Sequence, residues 1–97
     1  MAWTVVVAQA ATQDLAQSYD WYKTKSPSAA KAFRVGVLAA FDLIARAPEQ
    51  WPLWDDTVRR YVLKQFPYTV YFEILGNELR ILAVGHHRRR PGFWKSN

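Results

Sequence analysis

The chain of 97 residues contains no cysteine, only two histidines, and no acidic residue after Glu78. Without cysteine there is no disulfide frame and no thiolate metal site. His86 and His87 are adjacent, so on a strand they would point to opposite faces and could not share one ion. No third ligand is spaced to help, and neither a metal nor a cofactor is expected. The four glycines are scattered, so no phosphate-cradling loop forms. No serine nucleophile with a tuned base is suggested. No apolar run approaches the roughly 20 residues that cross a membrane. The opening MAWTVVVAQA has no positive flank and reads as a first strand rather than a signal peptide. These features suit a single cytoplasmic domain spanning residues 1–97, without membrane contact.

The missing acids make the charge one-sided. Residues 1–56 carry five basic and six acidic side chains, a net of −1; residues 57–97 carry eight basic and two acidic, a net of +6. The whole surplus of +5 therefore lies in the last two-fifths of the chain. Such a field favours an anionic partner, either nucleic acid or an acidic protein segment, or is simply solvated.

That basic part also carries the clearest local structure. Tyr68, Val70, Phe72 and Ile74 alternate with Thr69, Tyr71, Glu73 and Leu75. Leu79, Ile81 and Ala83 alternate with Arg80, Leu82 and Val84. Both patterns have the period of a strand. Gly76-Asn77 between them suits a two-residue hairpin turn. A third strand is expected before them, over residues 58–64, separated by Gln65-Phe66-Pro67 because proline cannot continue the ladder.

Upstream, residues 3–7 read as a strand and residues 10–25 as a helix, with Thr12 as its cap and Asp14 in its first turn. Leu15, Tyr19 and Tyr22 share one face of that helix, while Trp21 lies off it. Ser26-Pro27 restarts the helix as a cap followed by proline at the first position. Ala30, Phe33, Val37, Phe41 and Ile44 then form an apolar stripe, and Pro48 ends the second helix. Gly36 within it costs roughly 1 kcal/mol against alanine, which suggests close packing against the first helix. A loop over residues 49–56 holds Trp51 and Trp54, which either plug the core edge or mark a protein-binding site. The order β-α-α-β-β-β predicts an α+β domain, a helix hairpin on one face of a small antiparallel sheet.

Two chemistries fit the basic end. For RNA cleavage, Arg60, Lys64, Arg88, Arg89 and Arg90 could hold a phosphate while His86 or His87 moves a proton. For protein binding, Trp94 beside the arginines is a ready anchor, although Phe93 and Trp94 could equally fold back over the sheet.

The element order, Asp14-Leu15 with Tyr19-Asp20-Trp21-Tyr22, Ala47-Pro48-Glu49, Arg59-Arg60-Tyr61 and Phe66-Pro67-Tyr68 together resemble the RelE/ParE superfamily of bacterial type II toxins. The ending Leu82-Ala83-Val84-Gly85-His86-His87-Arg88-Arg89-Arg90-Pro91-Gly92-Phe93-Trp94 is similar to the ParE-side signature, a strand running into a basic, proline-containing tail closed by aromatics. The resemblance covers nearly the whole chain. It implies a toxin neutralised by an acidic, partly disordered cognate antitoxin. RelE-like members cut messenger RNA on the ribosome, with basic residues on the sheet and usually a C-terminal tyrosine. ParE-like members inhibit DNA gyrase. Here Thr69 stands where RelE-like nucleases carry arginine, and Phe93 and Trp94 offer no phenolic proton. The expectation is therefore a ParE-like toxin that contacts its target through Arg59, Arg60, Arg88, Arg89, Arg90 and Trp94. Trp51 and Trp54 are expected at the antitoxin. The alternatives are a RelE-like nuclease using Arg60, Lys64, His86, His87 and Arg89, or an inactive toxin fold that binds only its antitoxin.

Overall fold

A computed structural model of the chain describes residues 3–90 and 92–95. Four strands and two helices follow in the order β1 (Thr4–Val7), α1 (Gln9–Lys25), α2 (Pro27–Arg46), β2 (Val58–Val62), β3 (Tyr68–Leu75) and β4 (Glu78–His86). Single 3-10 turns lie at Pro48–Gln50 and Phe93–Lys95. The expected α+β layering holds: the helix hairpin covers one face of one sheet, whose strand order is β1-β4-β3-β2. β2, β3 and β4 form the antiparallel meander. β1 pairs with β4 in parallel, from Thr4 opposite Glu78 to Val7 opposite Ile81, so the sheet is mixed. The two-helix crossover from β1 to the sheet's far edge makes that direction possible.

The β3–β4 turn is two residues long, with Leu75 opposite Glu78 and Gly76 at a φ of 60°. A glycine at the first central position is the requirement of a type II′ hairpin turn. Further along, Tyr71 faces Ala83 while Phe72 faces Ile81, leaving Leu82 as an extra residue. This bulge reverses the parity of β4. Leu79 and Ile81 face the helices, but beyond the bulge Val84 joins them and Ala83 turns to the outer face. The unbroken alternation of Leu79, Ile81 and Ala83 expected from the sequence is corrected accordingly.

The main core lies between helices and sheet. Phe33, Val37 and Ile44 of α2 meet Val70, Phe72, Leu79, Ile81 and Val84, all at or near zero exposure. Each such side chain contributes about 1.5–3 kcal/mol by leaving water. Phe41, expected in the same stripe, is only half-buried, and Ala40 takes the inner position. Ser26 caps α2 as expected, its Oγ accepting the Ala29 N–H at 2.9 Å with Pro27 at the first position. The cap expected of Thr12 is not formed. α1 begins earlier, at Gln9, with Ala8 before it and no side-chain cap. Gly36 does not face α1; a methyl placed there would sit 3.6 Å from the Phe66 ring, ordinary contact with the loop after β2.

Asp14, freed from the expected first turn, has another task. β1 ends opposite Ile81, and the chain leaves for α1 once the Ala8 N–H has bonded the Ile81 carbonyl at 2.9 Å. Beyond that point β4 has no strand on this side. Asp14 fills the gap, its Oδ2 accepting the Val84 N–H at 3.1 Å. An orphaned backbone donor is thereby satisfied.

Candidate functional site

β4 delivers the chain into a basic turn at the corner of the sheet, and backbone bonds fix its shape. The His87 N–H donates to the Pro67 carbonyl at 2.8 Å and the Arg89 N–H to the His86 carbonyl at 2.9 Å. His86 Nδ1 accepts the Arg88 N–H at 3.0 Å. Pro91 lies outside the described residues. After Gly92, at a φ of 84°, the Phe93–Lys95 turn folds back over the outer face of the sheet. There Val58, Tyr71 and Ala83 form a second small core, with Trp54, Leu82, Phe93 and Trp94 packed on it. Trp94 lies 4.4 Å from the Tyr71 ring and 5.5 Å from Trp54. Phe93 approaches Gly85 so closely that a Cβ there would stand 2.4 Å from its ring.

Two ionic contacts bracket this clamp. The Arg89 guanidinium lies over the Phe93 ring at 3.8 Å, with Asp14 Oδ1 at 3.6 Å. Lys95 Nζ reaches Asp55 Oδ2 at 2.9 Å and sits over Trp54 at 5.0 Å. The two carboxyls respond in opposite ways. Burial pushes Asp14 above the usual carboxylate range, outweighing the Val84 N–H and the Arg89 charge. The hydrogen bond from Lys95, with those from the Val58 and Thr57 N–H groups, holds Asp55 down at about 2. Burial also raises the Tyr71 phenol, opposed by the charge of Arg60 across the strand pair.

The residues expected from the sequence fall in different places. Arg88 and Arg90 are exposed on the turn, with no ion-pair partner among the described residues. Arg60 is exposed on the outer face. Arg59 points the other way and donates to the Glu49 and Trp51 carbonyls at 3.0 and 2.7 Å. Arg89 and Trp94 are held in the clamp. Trp51 and Trp54 plug core edges: Trp51 is edge-on to Tyr61 at 4.7 Å, and Trp54 packs on Tyr71 and Trp94.

Of the groups expected for nuclease chemistry, His86 and Arg89 line one small pocket, but Arg60 and Lys64 stand apart from them. Arg60 is on the outer face, and Lys64 lies beside Gly36, Ala39 and Phe66 near α2. His86 faces the helix side, edge-on to Tyr68 at 5.1 Å. The described residues contain no cluster of three His, Asp or Glu side chains able to hold a metal. None of the described helices is long and apolar enough to cross a membrane. Sequence reasoning missed Asp14, Asp55, Gly85 and Lys95 as parts of the clamp. Glycine inside a strand pattern is itself a signal of close approach, and Gly85 carried it.

The ParE toxin family of type II toxin–antitoxin systems, parDE, matches residues 5–91. The chain belongs to the ParE toxin family. Among solved structures, a chain described as "Chromosomal ParDE TA system from P. aeruginosa" superposes with a TM-score of 0.77 at 22% identity. That match covers 88% of this chain and 96% of the other, so the ParE fold extends over nearly the full length of both. No curated protein sequence matches it. The family match includes Arg88 and Arg90 and ends before Phe93, Trp94 and Lys95 of the clamp.

Proposed function

We propose that this ParE-family toxin stops growth by binding a protein target, DNA gyrase, through Arg88 and Arg90 on the turn, with Arg60 on the outer face of β2 as a further contact. The observation that carries this reading is the sorting of the basic side chains. Tyr71, Trp54 and Trp94 fill the outer sheet face, and Arg89 is held by Asp14 and Phe93. Arg88 and Arg90 are left exposed on the turn. Guanidinium groups so presented recognise carboxylates in paired, directional hydrogen bonds. Acid–base cleavage would need its groups within hydrogen-bond reach of one phosphate, and the distance of Arg60 and Lys64 from His86 argues against a nuclease site that uses all three.

The neutralising partner in this reading is an acidic cognate antitoxin. The inward packing of Trp51 and Trp54 turns attention to another surface. Leu15, Tyr19, Val37 and Leu38 line a groove of about 550 Å³ between the helices. Beside it runs the unpaired edge of β1, where Val5, Val6 and Val7 are about two-fifths exposed. An amphipathic helix suits the groove and an extended segment suits the edge.

The test is pulse-labelling after induction without antitoxin. DNA synthesis should stop before protein synthesis, and Arg88→Ala with Arg90→Ala should abolish the effect. His87→Ala should leave it intact. If protein synthesis stops first, gyrase is not the target.

A further inference from the structure

Trp21 is the largest apolar side chain left without a role. It lies off the buried stripe of α1 and is 54% exposed. Among the described residues its one aromatic ring contact is Tyr22, edge-on at 5.0 Å, and Lys25 Nζ stands over it at 5.1 Å. The indole forms one wall of an open groove of about 600 Å³, lined further by Tyr22, Pro67, Tyr68, His86 and Arg88. Arg88 is part of that lining, its backbone N–H bonded to the His86 ring. Among the described residues no acidic side chain lines the groove. Asp14 is turned away toward Val84 and Arg89, and Asp20 lines the separate groove between the helices. The result is a largely aromatic groove with Arg88 in its lining and Lys25 over its Trp21 wall.

We propose that this groove takes an acidic segment of the protein target, with one large apolar or aromatic side chain seated against Trp21 and Tyr22 and carboxylates on Lys25 and Arg88. The assignment rests on the reading that the toxin acts by binding a protein, and it extends that surface through Arg88, which both share. Exposed tryptophan beside arginine is the composition of an interface anchor. A single-stranded nucleic acid would instead need cations along its whole track. Here Arg88 is the one lysine or arginine among the described lining residues, and Lys25 stands over Trp21.

The experiment compares the full-length toxin with its Trp21→Ala and Trp21→Phe variants and with the double charge reversal Lys25→Glu, Arg88→Glu. Binding to purified DNA gyrase, growth inhibition at matched soluble levels and thermal midpoint are measured together. Trp21→Ala should weaken binding by at least about tenfold and remove growth inhibition without moving the midpoint. Trp21→Phe should recover most of the affinity, and the charge reversal should abolish it. Wild-type affinity and toxicity in Trp21→Ala would overturn the proposal. If the wild type itself does not bind gyrase, the gyrase reading fails and growth inhibition decides: a toxic Trp21→Ala overturns the groove, whereas a harmless, folded one supports it. A toxin harmless even as wild type overturns both. Binding of a short single-stranded RNA that is lost in Trp21→Ala would also overturn the assignment to a protein segment.

Discussion

Replacing Gly85 with alanine should release the C-terminal clamp. The new Cβ would lie 2.4 Å from Phe93 Cε1 and 3.0 Å from Cζ. Carbon atoms rest comfortably at about 3.5–4.0 Å, so the ring must retreat by more than about 1 Å. It has little room, with the Arg89 guanidinium at 3.8 Å on one face and Trp94 edge-on at 5.4 Å. Overpacking of this kind costs about 1–3 kcal/mol. Lifting Phe93 away instead forfeits its burial and the Arg89 contact, itself about 0.5–1 kcal/mol. The cheaper route wins, so about 1–3 kcal/mol bounds the loss, a fall of about 5–20 °C in the midpoint for a chain of this size. A double-mutant cycle with Phe93→Ala makes the test specific. Once the ring is gone, Gly85→Ala should be neutral or slightly stabilising, because glycine inside a strand carries its own entropic cost. The coupling should therefore equal nearly the whole loss seen in the wild type. Amide exchange at Phe93 and Lys95, bonded to the Arg90 and Gly92 carbonyls, should quicken in Gly85→Ala. An equal cost of Gly85→Ala in both backgrounds would refute the argument.

The two carboxyls of the clamp predict opposite behaviour. Asp14 is raised by burial, so its contribution is most favourable below the unfolded value near 3.8 and is lost as pH rises through the folded one. At neutral pH Asp14→Asn should therefore change stability little, since the amide oxygen still accepts from Val84. Asp14→Leu should cost about 1–3 kcal/mol by leaving that N–H unpaired; chemical denaturation of both variants checks the pair, and an equal loss would sink the account. Asp55 is depressed, so its contribution is present above 3.8 and disappears as pH falls toward about 2. Acid titration of stability in Asp55→Asn should lack that part of the slope, whereas an unchanged acid slope would show that the Lys95 contact does not hold the tail in solution.

Most of the fold was legible because its signals are local. The strand period of residues 68–75, the Gly76-Asn77 turn and the Ser26-Pro27 restart each act within a few residues, and each is realised. What was not legible depends on pairing. The direction of β1 is set by which strand it meets after two helices, which no residue within Trp3 to Val7 encodes. The bulge at Leu82 comes from fitting β4 to β3, and it moves Val84 and His86 to the helix side. Asp14 looked like a helix-start acid; its actual partner is 70 residues away. At the site, the exposure of Arg88 and Arg90 followed from their place after the last strand. The diversion of Arg59 and Arg89 did not, because their partners lie in distant elements.

Those diversions change what the charge means. Eight basic residues give the C-terminal part its net of +6, which reads as one large electrostatic patch. In the fold, four of the eight are engaged: Arg59 on two carbonyls, Arg80 on Glu78 at 3.0 Å, Arg89 on Asp14 and Lys95 on Asp55. Ion pairs whose basic partner stays about half-exposed, as in all three here, add little stability singly. Two of them nevertheless sit at the ends of one aromatic clamp, where they hold the tail in register with the sheet. The remaining side chains, Arg60, Lys64, Arg88 and Arg90, stand on different elements, and only Arg88 and Arg90 share a turn. A partner approaching this surface therefore meets a long-range positive field but finds directional contacts at one corner. That division assigns encounter to the whole basic half and specificity to the turn, which is the arrangement expected when charge steers association and a few placed groups select the partner.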